Sequence, residues 1–315
     1  MKFLFKCLSG KEFLPEQITS FELSGEASAA CWGLRINFIC EKAPEEIVEV
    51  KAFSDDKLIF SGYCDMQRAT CNSNGISVFV YARSSACLLV DNEALPCEYH
   101  IPTSRQLWIQ NGRELGFEYG LPDLTCEGIY RVLKGTSRFG AINDFVCEIY
   151  GRGIYVSPDG VIKAYDMSRD LKSLPENDIM STSFTYKRSG VLSAIDYKID
   201  SGEKYKYHLE SVLAKKSLIT RKKLINLSSL PSWQRKARAK RQIQSSLKGY
   251  TAVEISLSGI HEYSLYDRVF ADLPLLDVCG EYFVDEIVYR AGANGFSTSL
   301  VLRQEAKEEF NNYVA

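Results

Sequence analysis

The chain has 315 residues, with 38 Lys plus Arg against 40 Asp plus Glu, a formal charge of −2, and 45% apolar residues. This is room for about two or three domains with a sizeable core, and the composition excludes a low-hydrophobicity disordered chain. No apolar run approaches the roughly eighteen residues of a membrane-spanning helix. The N-terminus, Met1-Lys-Phe-Leu-Phe-Lys6, lacks the apolar core of a signal peptide, so a start in a reducing cytoplasm is expected.

In chain order, the first hundred residues read as β. Apolar stretches at Phe3–Phe5, Ile18–Leu23, Leu34–Ile39, Ile47–Phe53 and Leu58–Tyr63 are separated by polar or Gly/Pro punctuation, the spacing of a sandwich or barrel. Cys71-Asn-Ser-Asn-Gly75 supplies an Asn-Gly turn, and Ile76–Ala82 is the return strand.

The middle changes character. Thr125 is read as the cap of a short helix running through Lys134 and ended by Gly135. Ile142, Phe145, Val146, Ile149 and Tyr150 then form one helical face closed by Gly151. A hairpin turned by Ser157-Pro-Asp-Gly160 follows. Helix plus hairpin predicts a small α+β domain, placed at 101–182 between a first barrel at 1–100 and a second at 183–305, with a tail at 306–315.

In the second barrel region, Ile195, Tyr197 and Ile199 alternate with Asp196, Lys198 and Asp200. After Ser201-Gly202 the alternation resumes at Tyr205, Tyr207 and Leu209, predicting a hairpin at 191–212. A basic helix is expected at 232–247, with Trp233, Ala237, Ala239, Ile243 and Leu247 on one stripe and Arg235, Arg238 and Arg241 away from it. Strands return at Ala252–Leu257, Arg268–Leu276, Tyr282–Tyr289 and Ser297–Leu302.

An internal repeat links the two ends. At an offset of 220, Asp65 matches Asp285, Asn74 matches Asn294, Gly75 matches Gly295, Ser77 matches Ser297 and Arg83 matches Arg303. Ser61-Gly-Tyr63 resembles Gly280-Glu-Tyr282, and Leu23-Ser-Gly25 echoes Leu257-Ser-Gly259. The shared content is a strand, an Asn-Gly turn and a return strand ending in arginine. The stretch from Gly25 to Asp65 is longer than that from Gly259 to Asp285, so the second barrel must take strands from elsewhere; the hairpin at 191–212 is the candidate.

Phe21-Glu-Leu-Ser-Gly25, the small-residue run Glu26-Ala-Ser-Ala-Ala30, Phe60-Ser-Gly-Tyr63 and Tyr81-Ala-Arg-Ser-Ser-Ala-Cys-Leu88, in this order and with a second barrel, resemble baseplate hub proteins of contractile phage tails. These include the late control protein D group and the Mu-like hub. The resemblance covers nearly the whole chain through order and spacing. It implies two related tail-tube-type β-barrels plus a smaller helix-containing domain. It also implies a homotrimer whose six barrels form a pseudo-sixfold ring between tail tube and spike. Such a protein sits in the virion tail baseplate, is assembled in the bacterial host cytoplasm, and meets nucleic acid only as DNA passing through its channel.

Chemistry-bearing constellations are not found. Histidines 100, 208 and 261 have no local metal-ligand spacing, and no nucleophile elbow, P-loop or HExxH occurs. The acidic pairs Asp55-Asp56, Asp285-Glu286 and Glu308-Glu309 are read as exposed charges, since neighbours on a strand point to opposite faces. The ten cysteines form no CxxC pair and are read mostly as buried free thiols. No enzyme, cofactor or metal is therefore expected; a tail-associated envelope hydrolase or carbohydrate-binding module is the alternative. Residues 203–248 carry thirteen Lys/Arg and two acids, +11, leaving −13 for the remainder. Trp233, Arg235, Arg238 and Arg241 are the candidate partner-binding residues. A solvated face, docking on an acidic protein neighbour and contact with phosphates all stand open as readings.

Overall fold

The computed structural model describes residues 1–73, 75–166, 170–200, 202, 204–304 and 309–314, the last three as backbone only. Asn74, Ser201 and Glu308, each named above, and Glu203, one of the two acids counted in residues 203–248, lie outside the described residues.

Alternating apolar side chains make the first 84 residues a run of strands, because every second side chain can then enter one core. Numbering only barrel strands, they are β1 (Lys2–Cys7), β2 (Gln17–Glu26), β3 (Gly33–Cys40), β4 (Ile47–Ser54), β5 (Lys57–Asn72) and β6 (Gly75–Ser84). The second set is β7 (Leu171–Ser173), β8 (Ile179–Tyr186), β9 (Thr251–Ser258), β10 (Arg268–Leu273), β11 (Val278–Gly292) and β12 (Gly295–Arg303). The first set is ordered β2-β3-β6-β5-β4-β1 and the second β8-β9-β12-β11-β10-β7. Each strand of one set thus has its counterpart six numbers later in the other. One difference is that β1 runs antiparallel to β4 whereas β7 runs parallel to β10. Phe3 on β1 meets Phe21 on β2 at 5.1 Å between ring centroids, bringing the two ends of the first set together as a barrel.

The hairpins that carry the repeat share one register. In both, the ladder slips by one residue at the aspartate: Cys64 pairs with Ala82 and Met66 with Tyr81, just as Val284 pairs with Leu302 and Glu286 with Val301. Asp65 and Asp285 are therefore the extra residues of two matching β-bulges. At the turns the positive φ falls on Gly75 (111°) and Gly295 (87°), where a side chain would be strained.

The echo between residues 23–25 and 257–259 has no structural counterpart. β9 occupies the place of β3, since each lies beside the last strand of its barrel, and β8 occupies the place of β2. The additional strands of the second barrel are β7 and β8. The hairpin at 191–212 does form, as Ala194–Lys198 and Tyr207–Ser211, but it belongs to a separate four-stranded sheet with Lys222–Asn226 and Phe310–Val314. Its apolar face, Ile195, Tyr197 and Leu209, packs against Ala239, Ile243 and Leu247 of the basic helix, so its burial is met there.

Between the barrels lies an α+β insert with α1 (Cys87–Asp91), α2 (Ser104–Asn111) and α3 (Arg138–Tyr150). Ser137 caps α3 by accepting from the Gly140 N–H, and Gly151 ends it at φ 85°. The expected helix from Thr125 to Lys134 is instead the strand Ile129–Val132, antiparallel to Cys97–His100. Its side chains alternate between half-buried and buried, a period of two that outweighs the cap-like Thr125. Beyond the insert come α4 (Val212–Lys216) and α5 (Ser232–Lys248).

Candidate assembly surfaces

The basic helix α5 is turned toward the insert. Arg238 reaches Asp144 at 2.8 Å and Glu148 at 3.1 Å, and Arg241 reaches Asp144 at 2.5 Å; both acids lie on α3. Trp233 donates its indole N–H to the Ile129 carbonyl at 2.8 Å and packs against the insert core. Arg235 donates to the Leu230 carbonyl at 2.6 Å, closing the first turn of its own helix. All four candidate residues are thus engaged within the chain, and the acidic neighbour met by Arg238 and Arg241 is α3.

Gln234 completes this seam. It is fully buried, donates to Glu148 at 2.9 Å and accepts from the Arg131 N–H. An apolar-stripe reading passes over it because it is polar. Burial pushes the Glu148 carboxyl above its usual range, against the pull of Gln234 and Arg238. The signal that could have found the seam is the spacing: Asp144 and Glu148 are one helical turn apart on α3, as Arg238 and Arg241 are on α5.

The second surface is the junction of the two barrels. The strand β11 pairs antiparallel with β2, Tyr289 opposite Leu23 and Arg290 opposite Glu22, so the twelve barrel strands, with the short strand Glu12–Phe13 beside β1, share one sheet. Arg290 holds Glu22 at 2.9 Å, and Arg35 holds the same carboxylate at 2.6 Å. Burial opposes ionisation of Glu22, but the two guanidiniums outweigh it and lower its pKa.

The junction consumes one edge of each barrel and leaves the matching edge of the other open. Among the described residues, β8 pairs only with β9, and β5 beyond Tyr63 pairs only with β6. Both edges carry exposed apolar side chains: Met66 on β5, Met180 and Tyr186 on β8.

A cavity of about 390 Å³ lies where the first barrel, the insert hairpin and residues 260–265 meet, lined by Leu58, Phe60, Tyr155, Tyr263 and Leu265. Its two lysines are both paired, Lys172 with Asp267 at 2.6 Å and Lys57 with Glu262 at 3.6 Å. His208 pairs with Asp196, and His261 contacts the Ser258 carbonyl at 2.7 Å. No group of three or more His, Cys, Asp or Glu is gathered around a metal-sized space among the described residues. All ten cysteines are free; Cys7, Cys87 and Cys126 are buried, five are half-buried, and Cys71 and Cys279 are exposed, so fewer are fully inside than their apolar neighbours suggested. No helix among the described residues is long and apolar enough to cross a membrane.

No protein-family profile matches the sequence, and no curated protein matches it significantly. Solved structures do resemble the fold. A 43 kDa tail protein of prophage MuSo2 from Shewanella oneidensis is 12% identical with a TM-score of 0.79, over 98% of this chain and 99% of that one. A tail protein from Neisseria meningitidis MC58 is 13% identical with a TM-score of 0.76, over 96% of both. A component of the E. coli type VI secretion system, described as similar to T4 tail proteins gp27 and gp5, is 11% identical with a TM-score of 0.59, over 92% of this chain and 74% of that one. The fold is that of these tail proteins: two related tail-tube-type barrels with a smaller helix-containing part.

Proposed function

We propose that the chain is a structural hub of a phage or phage-like tail baseplate, three copies forming a pseudo-sixfold ring that joins the tail tube to the central spike. The observation that supports this reading most is the joining of two barrels of identical strand order, edge to edge, in one sheet. One chain then supplies two consecutive positions of a ring. Three chains present six similar barrels to a sixfold neighbour while the assembly itself is threefold. The whole-length likeness to prophage tail proteins, and to a secretion-system component described as similar to tail proteins, supports the same placement in the tail.

The chain acts here as a scaffold. The ionisable groups of the α3–α5 seam are drawn into pairs that fasten the two helices together, and the two lysines of the cavity are likewise paired. Its partners are two further copies, the tail tube and the spike protein, with DNA as a passenger through the channel. The protein is then assembled in the host cytoplasm and carried in the virion baseplate. Light scattering of the purified chain should give three times 35.5 kDa, and negative-stain images should show a ring with a central hole. A strict monomer at every concentration, alone and with tail-tube or spike protein added, overturns the reading, as does turnover of cell-wall glycan.

A further inference from the structure

The internal junction carries a register, and the repeat transfers that register to a second interface. On β2, Leu23 pairs with Leu34 of β3, which pairs with Ala82 of β6. On β8, Phe184 pairs with Val253 of β9, which pairs with Leu302 of β12, the counterpart of Ala82 at offset 220. Phe184 therefore stands where Leu23 stands. On the other side of the junction, Tyr289 of β11 corresponds at the same offset to Ala69 of β5, and the two matching bulges at Asp65 and Asp285 keep that offset intact.

We infer that neighbouring copies join by antiparallel pairing of β8 of one chain with residues 66–71 of β5 of the next. In that pairing Phe184 lies opposite Ala69, Thr182 opposite Cys71 and Tyr186 opposite Gln67. This rests on the assembly proposed above and gives its contact strand, direction and register. The occupant is a second copy because the junction already shows, within one chain, that the equivalent edges bind each other over six residue pairs. The contact is heterologous, head to tail, and so repeats around a ring.

Edge chemistry points the same way. An exposed sheet edge is ordinarily blunted by lysine or proline to prevent pairing. The edge strand Lys222–Asn226 carries two exposed lysines in this manner. In contrast β8, Ile-Met-Ser-Thr-Ser-Phe-Thr-Tyr, has neither a charge nor a proline. The 16-residue β5 also runs on to Asn72, nine residues past the end of its ladder with β4 at Tyr63, with an exposed outer stretch. In the second barrel the corresponding stretch of β11 is covered by β2 and largely buried.

The register supplies its own test, since exposed Cys71 is placed opposite Thr182 at a separation a disulfide can span. Thr182→Cys, oxidised mildly at a concentration where the wild type is oligomeric, should give a ladder of covalent multimers on a non-reducing gel. The ladder should vanish when Cys71→Ser is added. Ser181→Cys and Ser183→Cys point to the other face and should cross-link at least several-fold less. Hydrogen exchange on the unmodified protein gives a second readout: amides of 66–71 and 182–187 should gain protection together on oligomerisation. An intact trimer whose Thr182→Cys variant does not link to Cys71, or links best from 181 or 183, overturns the register and leaves the hub reading standing. A wild type that never oligomerises overturns both.

Discussion

Arg303 holds Asp285 through its Nε at 2.5 Å across the bulge of β11, and Arg83 holds Asp65 at the same distance across the bulge of β5. The two pairs are one device used twice, but in different surroundings. Asp285 and Arg303 side chains are 8% and 19% exposed, Asp65 and Arg83 29% and 27%, and Arg83 has a second partner in Asp91 at 2.7 Å. Removing one member of a buried pair strands the other charge and costs about 3–5 kcal/mol, whereas an exposed pair is worth about 1 kcal/mol or less. Asp285→Ala should therefore lower the urea midpoint far more than Asp65→Ala. Equal effects of the two substitutions would show that burial is not what separates the sites.

A pH dependence of the barrel junction follows from Glu286. Burial raises its pKa, and the facing Glu26 and adjacent Asp285 raise it further, against the pull of Arg303 and Arg290. A carboxyl with a raised folded-state pKa binds its proton more tightly folded than unfolded. Its contribution is thus fully present below the unfolded value of about 4.3 and is lost as pH rises through the folded value. Glu286→Gln should raise the melting temperature at pH 7, and the gain should shrink to nothing by about pH 4, near the unfolded carboxylate value. A variant less stable than wild type at pH 7 would contradict this.

Much of this fold can be read in the residues, and what cannot is long-range. The barrel strands announce themselves by period two and by their turns, and the offset of 220 finds the paired hairpins because turn glycines and the bulge ion pair tolerate few substitutes. Register between distant strands leaves no such mark. Leu257-Ser-Gly259 copies Leu23-Ser-Gly25 in letters while β9 sits in the place of β3. The strand β8 escapes notice because Ser, Thr and Met interrupt its apolar positions, as expected of an edge not buried within one chain. At α5 the charges were visible and their partners were not, since Asp144 and Glu148 lie about ninety residues earlier.

Two glycines of the strand motifs are required by close approach. A Cβ at Gly25 would overlap the indole ring of Trp32, and one at Gly62 would overlap the Arg83 carbonyl oxygen. A ring on a short loop can swing aside, while a ladder carbonyl cannot move without disturbing the neighbouring bulge. Overpacking typically costs about 1–3 kcal/mol. Gly25→Ala should fall near the low end, with a red-shifted tryptophan emission as Trp32 is displaced. Gly62→Ala should fall at or above the high end with no such shift. A Gly25→Ala protein with unchanged emission would mean that Trp32 does not pack on this glycine.

The seam between α3 and α5 predicts a charge-swap rescue. The Glu148 side chain is fully buried and is held by Arg238 and Gln234, so Arg238→Glu removes its cationic partner and places a second carboxylate beside it, where little water reaches to screen them. That substitution should destabilise by about 3–5 kcal/mol and release hydrogen exchange along residues 234–247. At Asp144 the geometry is more open, at 18% exposure, and Arg241 approaches it end-on. Arg241→Asp alone should weaken the seam, and Asp144→Arg added to it should recover part of the loss, because the swapped pair can re-form while Arg238 is left facing a cation. Full recovery would mean that Arg238 does not depend on Asp144. No recovery at all would mean that the two helices are held by Trp233 and the apolar contacts, with the ion pairs only decorating the surface.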